Sequence, residues 1–481
     1  MGKNRKLLLV IVFVLFGLTT GIISANEKAQ TVASQQESKK FSVLTIENFI
    51  ALAATNDTVF ESILIDELAL KYKKDLKLPA KDLVFSVKNE YDMFLSKDKE
   101  DPSSTVSLSK LFPNTGTSLT AGYQSTPSFT STTNSSEFTF TISQPIAENA
   151  FGKSTRLYDQ ILGIEIDVAK HQIIEAYEDY MATIIGVYYD WYEAYTNLMI
   201  GQSSYQENLK LLENTKEREK SKIALPIDVN KVNIQVLAKK EKLSNLTGAY
   251  DKALNIMVTA IRYEGSEPLI PQEPFIYSGK EIEFSSEYND FVENSRTYQV
   301  LRLLEDKSSF EVDKNANELL PSINLLVGYE VNGDDFGIKN EDNMVYAGIS
   351  MDWPIGEQIE RAEYETSKVT LSKTRLTKKN AHFQLQTDLK NLHRQIIREK
   401  EIIGIIDQKI ELAEAVLADE TENYSFGKVT LNDFIQAVNV LDDNRFSEIQ
   451  HSVEKRKLIV EWLRLTDQLI RKDSIVREDS R

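Results

Sequence analysis

The side chains with chemistry to offer are few and scattered. Four histidines, His171, His382, His393 and His451, are potential metal ligands or proton carriers. None has a histidine three or four residues away, and His382 and His393 stand 11 apart, so no helical ligand pair exists. The glutamate-rich stretches read as solvated helix faces rather than acid–base pairs. There is no cysteine, which removes disulfides, thiol catalysis and thiolate metal sites. No glycine-rich phosphate loop or nucleophile elbow is present. These residues point to no catalysis, no metal and no cofactor. What remains is the chemistry of turns and charged linings. Gly427 suits a positive-φ turn between two helices, with Tyr424 before it and Asp433 after it. Asp433, and Asp228 in a second such place, suit the negative position at a helix N-terminus.

Two copies of one unit carry these positions. Ser350-Met351-Asp352-Trp353-Pro354-Ile355 echoes Thr141-Ile142-Ser143-Gln144-Pro145-Ile146. Ala224-Leu225-Pro226-Ile227-Asp228-Val229 echoes Val429-Thr430-Leu431-Asn432-Asp433-Phe434, and Leu78-Pro79 echoes Leu320-Pro321. Three landmarks in the same order imply a duplicated unit of helix, strand hairpin, long helix, tight turn and helix.

The strand segments alternate with period two. Phe138, Phe140 and Ile142 share one face of the first hairpin, and Leu119, Ala121 and Tyr123 alternate likewise. In the second hairpin Ile323, Leu325, Val327 and Tyr329 share a face, as do Val345, Ala347 and Ile349. Strands of about 9 residues, apolar on one face and small or polar on the other, are the signature of a membrane barrel wall. An ordinary sandwich hairpin shows the same alternation. Two hairpins cannot close a barrel alone, so the chain must assemble. The first β region is longer: 66 residues separate Pro79 from Pro145, against 33 from Pro321 to Pro354. The extra segment 82–112 reads as strand, either beside the wall or within it. Proline-free helices over about 150–220 and 358–425 reach on the order of 100 Å each. Such lengths imply antiparallel coiled-coil pairs, with Tyr188, Tyr189, Trp191, Tyr192 and Tyr195 as seam packing. The first helix is expected over 44–77, capped by Thr45.

Residues 1–25 read as a secretory signal, with Lys3, Arg5 and Lys6 before the apolar run Leu7 to Leu18. Without a following cysteine a lipoprotein anchor is excluded. Beyond 25 the chain carries 53 basic and 73 acidic residues, net −20, which argues against nucleic acid and anionic lipid headgroups as partners. No later apolar stretch is long enough for a membrane helix. An exported chain of this kind is soluble, peripheral or a β-barrel.

The segment Tyr424-Ser425-Phe426-Gly427-Lys428-Val429-Thr430-Leu431-Asn432-Asp433-Phe434 resembles the Tyr-x-x-Gly-x-x-x-x-x-Asp turn of the TolC-like outer membrane efflux family. Leu320-Pro321-Ser322-Ile323 opening a strand and Trp353-Pro354-Ile355 closing a hairpin are similar to the family too. The resemblance runs over residues 44–470. It implies a mainly α chain with a transmembrane β portion, a homotrimer with four or more strands per chain in a shared 12-stranded barrel, and a coiled-coil periplasmic tunnel. It implies an outer membrane site, with a periplasmic adaptor and an inner-membrane pump as partners. The function is then a passive conduit for tripartite efflux or type I secretion; an exported coiled-coil structural or adhesin protein is the alternative. The domains would be a signal (1–25), a flexible leader (26–40), a first repeat (41–262, with the extra β segment 82–112), an equatorial linker (263–284), a second repeat (285–471) and a flexible tail (472–481). The family places a gate at Tyr424, Asp433 and Asp228 and docks its adaptor at the same tip; the small and apolar turn side chains make Ile223, Ala224, Leu225, Gly427, Lys428, Val429 and Leu431 the expected docking residues. Phe138, Phe140, Ile142, Ile323, Leu325, Val327, Val345, Ala347 and Ile349 would face lipid. Departures from the family are Lys222 in place of Gly, Val429 in place of a basic residue and Gln436 in place of an acidic one. These leave a Tyr424–Asp228 hydrogen bond and an acidic ring of Asp433 as the expected closing elements.

Overall fold

The computed structural model describes residues 42–79, 81–93, 100–126, 135–263, 265, 269–274, 282–334, 338, 342–356 and 358–470. The expected signal, leader and tail lie outside the described residues. In chain order, β1 (Ser42–Leu44) leads into α1 (Ile46–Asn56), α2 (Thr58–Ala69), a 3-10 turn and α3 (Lys73–Lys77). Four strands follow: β2 (Leu83–Met93), β3 (Glu100–Phe112), β4 (Thr117–Thr126) and β5 (Ser135–Pro145). Next come α4 (Lys153–Lys220), α5 (Pro226–Ile261), β6 (Leu269–Pro271), α6 (Phe284–Asn294) and α7 (Arg296–Glu318). The chain closes with β7 (Ser322–Asp334), β8 (Asp342–Asp352), α8 (Gln358–Ser425) and α9 (Leu431–Leu465). The matched helices α4 and α8 are both 68 residues long. The chain divides into two compact units. One gathers the chain up to Ile65, Ile174–Ser295 and everything from Gln384; the other gathers Asp66–Ile173 and Arg296–Phe383.

The first unit is helical. Thr45 caps α1 as expected, its Oγ1 accepting from Asn48 N at 3.2 Å. The helix expected to continue to 77 stops instead at Asp57, whose backbone is extended. The Asp57 carboxylate accepts from Val59 N at 2.9 Å and from the Tyr180 hydroxyl at 3.0 Å. It therefore caps α2 while tying it to α4, and a cap was the signal that periodicity alone could not supply. Ser295 breaks the second repeat in the same place; α1 and α6 are each 11 residues. The aromatic run on α4 forms the core here, with Tyr188, Tyr189 and Trp191 fully buried. The Tyr188 ring packs on Phe49 at 5.6 Å and edge-on to Trp191 at 5.7 Å. Its hydroxyl lies 2.7 Å from Leu44 O and accepts from Gln272 N at 3.0 Å. That pins the parallel pair β1–β6, part of which lies in the expected linker.

Contacts between helices show how the copies pair. α4 runs antiparallel to α5, with Tyr195 and Tyr250 rings 6.0 Å apart near one end and Leu212 packed on Val232 and Val236 near the other. α8 and α9 are joined by Glu399–His451 at 2.7 Å and Glu414–Arg445 at 3.0 Å. Between copies, α5 and α9 run parallel: Gln235–Asn439, Lys239–Asp442 and Lys242–Asp443 bond across separations of 204, 203 and 201 residues.

The second unit holds one antiparallel sheet in the order β2-β3-β4-β5-β7-β8. Four strands were the minimum expected, with the role of 82–112 undecided; the structure has six. β3 continues the ladder of β4, from Ser104 opposite Ser125 to Phe112 opposite Thr117. Every residue expected to face lipid lies on one side of this sheet, since Ala121, Phe140, Tyr329 and Val345 are successive register neighbours. On the other side the Tyr346 hydroxyl bonds Thr141 Oγ1 at 2.7 Å, and its ring lies where a Cβ on Gly328 would sit. Glycine there is a packing requirement rather than a flexible point. Beneath the sheet, Glu165 on α4 binds Lys73 of α3 at 3.2 Å and Lys307 of α7 at 2.9 Å.

Burial acts to raise the Glu165 pKa, but the hydrogen bonds and charges of Lys307 and Lys73 outweigh it and hold the carboxyl below its ordinary value. A lowered folded-state pKa stabilises above the unfolded carboxylate value, and that stability is lost as pH falls through the lowered one. The thermal stability of the native chain should therefore fall on that acid limb. Glu165→Gln should lower stability near neutrality and flatten the limb; identical pH profiles would show that the triad contributes nothing.

Candidate functional site at the paired interhelical turns

The α4–α5 and α8–α9 turns close in the same way. Ile223 N donates to Arg218 O at 2.8 Å and Lys222 N to Glu219 O at 2.9 Å. Lys428 N donates to Asn423 O at 2.9 Å and Gly427 N to Tyr424 O at 3.1 Å. This doubly bonded ending requires a left-handed residue just past the helix. Gly427 supplies it at φ 71, and Lys222 supplies it at φ 57. A side chain in that region costs about 1–2 kcal/mol.

The helices that follow differ in their caps. Thr430 Oγ1 accepts from Asp433 N at 3.3 Å, while the Asp433 carboxylate accepts from Thr430 N at 3.1 Å and from its hydroxyl at 2.6 Å. In the first turn Leu225 stands where Thr430 does, so half of this reciprocal cap is missing. Only the Asp228 carboxylate remains, accepting from Leu225 N at 3.1 Å. Both aspartates thus have a local structural use.

Tyr424 lies between two side chains that sequence inspection did not single out. Its ring stacks on Phe434 at 5.4 Å and 18°, and the Arg218 guanidinium sits 4.7 Å from the ring centroid. Arg218 Nη1 also reaches Tyr424 O at 3.4 Å. A basic residue in the last turn of a helix is ordinary, which is why Arg218 drew no notice. Among the described residues the expected Tyr424–Asp228 hydrogen bond is not made.

The two turns lie together, packed through Leu212, Val232, Val236 and Leu431 with Tyr205, Val229, Tyr424 and Ile435 around them. Leu431 therefore departs from the expectation of an exposed docking residue: it is 6% exposed, because the first helical position of α9 turns into this cluster. Leu225, by contrast, is 64% exposed. Ile223, Gly427 and Lys428 are exposed with it, and Ala224 and Val429 are half-buried. Ile227 and Phe426, not singled out from sequence, extend the exposed apolar surface. Behind the cluster a buried Lys239–Asp442 ion pair at 2.7 Å, joined by the Ser204 hydroxyl, links three helices.

Groups with catalytic or metal-binding potential are occupied singly. Tyr298 bonds His382 at 2.7 Å, Ile282 O bonds His393 at 3.0 Å, and Glu399 holds His451. One carboxylate cluster, Glu175, Glu178 and Asp467, occurs among the described residues, and Glu178 there accepts from Ile470 N at 3.0 Å.

Solved structures decide the fold. The open state of the Neisseria gonorrhoeae MtrE outer membrane channel matches with a TM-score of 0.68 at 11% identity, over 94% of this chain and 99% of that one. The outer membrane protein VceC of Vibrio cholerae matches at 0.66 and 12%, over 88% and 95%. CusC, described for its transmembrane channel formation, matches at 0.67 and 10%, over 88% and 91%. The chain has the fold of the TolC-like outer membrane channels. No family model matches the sequence, and no curated protein matches it. At identities of 10–12% the likeness is one of fold.

Two local rules are broken in the first turn only, and each has a measurable size. Lys222→Gly should raise stability by about 0.5–1 kcal/mol, the left-handed cost less glycine's entropy. Leu225→Thr should add about 1 kcal/mol by completing the cap. Chemical denaturation of the detergent-extracted protein checks both; loss of stability in either would mean that the native side chain has a packing partner in the assembly.

Proposed function

We propose that this protein is the outer membrane channel and periplasmic conduit of a tripartite efflux or type I secretion system. Three copies form the conduit, their sheets closing a barrel in outer membrane lipid and their helices forming a tunnel across the periplasm. The observation that carries the reading is the sheet's exposed apolar side. Phe140, Ile142, Leu325, Val327, Val345 and Ile349 are all exposed on it, an arrangement that water would penalise and lipid would favour. Exposed aromatic residues Phe112, Phe151 and Trp353 sit at the helix-proximal end, as an interfacial belt requires. The conduit is passive, because no nucleotide-binding motif is present, so a pump in the inner membrane supplies the energy. A periplasmic adaptor docks at the paired turns, on Ile223, Ala224, Leu225, Gly427, Lys428 and Val429. Leu431 supports that surface from beneath.

The gate belongs to the same end. Three copies of Asp433 around the axis would favour cations in a narrow opening. Tyr424 acts there through its ring, clamped by Phe434 and Arg218, and not through a hydroxyl bond to Asp228. Asp228 holds the turn that presents Leu225.

Two experiments test this reading. Phe140→Arg and Ile349→Arg should destabilise membrane assembly by about 2–4 kcal/mol, as charges do on a lipid-facing wall. Thr139→Arg and Gly348→Arg, on the opposite side, should assemble; equal tolerance on both sides would refute a barrel wall. Separately, Leu225→Asp should abolish export of a pump substrate while leaving the assembled channel intact in the membrane. Normal export by that variant would remove the docking role.

A further inference from the structure

We infer that β2 of one copy pairs with β8 of the next, so that three copies close an 18-stranded barrel rather than a 12-stranded one. The inference rests on the trimeric channel reading and concerns the wall that such a channel would have.

The extra hairpin has the design of a wall segment. Register neighbours across β2, β3 and β4 are Phe85, Leu108 and Ala121, then Val87, Val106 and Tyr123. These continue the row through Phe140 and Phe138 to Tyr329 and Val331. Leu83, Phe85, Val87 and Leu108 are exposed, as are Phe140, Ile142, Leu325, Val327, Val345 and Ile349 on the same side of β5, β7 and β8. On the opposite side β2 and β3 carry Ser86, Lys88 and Glu90, and Ser103, Thr105, Ser107 and Ser109, with Val84 and Leu111 confined to the helix-proximal end. A hairpin lying in water beside the barrel would have no use for this side-to-side division.

The hairpin is also built into the base of the sheet. The β3–β4 turn is held by Gln144 Nε2 donating to Thr115 O at 2.9 Å and by Arg156 Nη1 donating to Asn114 O at 2.7 Å. Thr117 Oγ1 bonds Gln144 Oε1 at 2.5 Å. Gly152, at φ 75, lies so near Asn114 O that a Cβ would overlap it. Closing 12 strands by joining β4 to β8 would require all nine register pairs of β3 and β4 to part.

The free edges then match. β2 and β8 are each 11 residues, and among the described residues each is paired on one side only. Backbone groups on such edges must find partners within lipid. β2 runs away from the helices and β8 returns toward them, so the junction continues the antiparallel alternation. Six strands per copy also preserve the even strand number of such barrels. With strands about 4.8 Å apart and tilted about 40°, 18 strands give a backbone diameter of about 36 Å, against about 24 Å for 12.

Because the chain has no cysteine, paired cysteines report the junction directly in the full-length protein in its membrane. Level strand ends would set Val87 against Gly348, on the other side of the sheet, so matching the apolar sides takes a one-residue offset that brings Val87 opposite Ala347 or Ile349 of the neighbouring copy. Val87→Cys combined in turn with Val345→Cys, Ala347→Cys or Ile349→Cys should, on oxidation, shift most of the chain from monomer to trimer mass in one combination. Ala121→Cys with Ala347→Cys should stay monomeric. Links from β4 to β8, or a β2–β8 ladder that stops at dimer, would overturn the inference while leaving a membrane channel standing. Absence of the chain from the outer membrane would remove the channel reading itself. Electron microscopy of the unsubstituted protein in lipid discs is independent of any variant: a barrel near 36 Å supports 18 strands, and one near 24 Å refutes them.

Discussion

Backbone hydrogen bonding is the constraint on which the rest of this protein depends. The helices satisfy their own amides, so their length is limited only by side-chain seams. The sheet cannot, because among the described residues β2 and β8 each pair on one side of their backbone only. Water could solvate those groups, but it would also meet the apolar row from Phe85 to Ile349. Lipid suits the row and not the edges. In the proposed assembly, pairing of edge to edge between copies satisfies both demands, and the isolated chain is then an incomplete object.

The helical end is governed by a different balance. The turn cluster is small, and the ion pair behind it is buried where an unpartnered charge costs several kcal/mol. Lys239 and Asp442 come from the two copies of the repeat, and Ser204 from α4 of the first copy. Such a network defines one register for α4, α5 and α9, since sliding by a turn would strand a charge. Registry at this level keeps the two turns packed on one cluster, although of Lys222 and Gly427 only the glycine is conformationally suited to its place.

Much of this architecture was legible in the residues. Matched landmarks around Pro145 and Pro354, and around Asp228 and Asp433, located the long helices to within a few residues. Alternation marked the exposed side of β5, β7 and β8. What escaped was decided by contacts distant in sequence. Asp57 breaks a helix because Tyr180 and Val59 N share its carboxylate. Leu431 looks like a surface leucine until Leu212 and Val236 are brought against it. Arg218 has no special neighbours in sequence and owes its place to a ring 206 residues away. The strands of 82–112 were readable, but their membership of the sheet required the β3–β4 ladder.

The equal 68-residue lengths of α4 and α8 have an evolutionary consequence. Inserting one residue into a helix advances its far end by about 1.5 Å and rotates it by about 100°. A single insertion in α4 would carry the first turn out of step with the second and swing its apolar seam toward solvent. Length in this lineage can therefore drift only by paired changes, near whole heptads, made in both copies. The duplication that created the protein thus acts as a ruler, and adaptation to a thicker or thinner envelope proceeds by discrete steps.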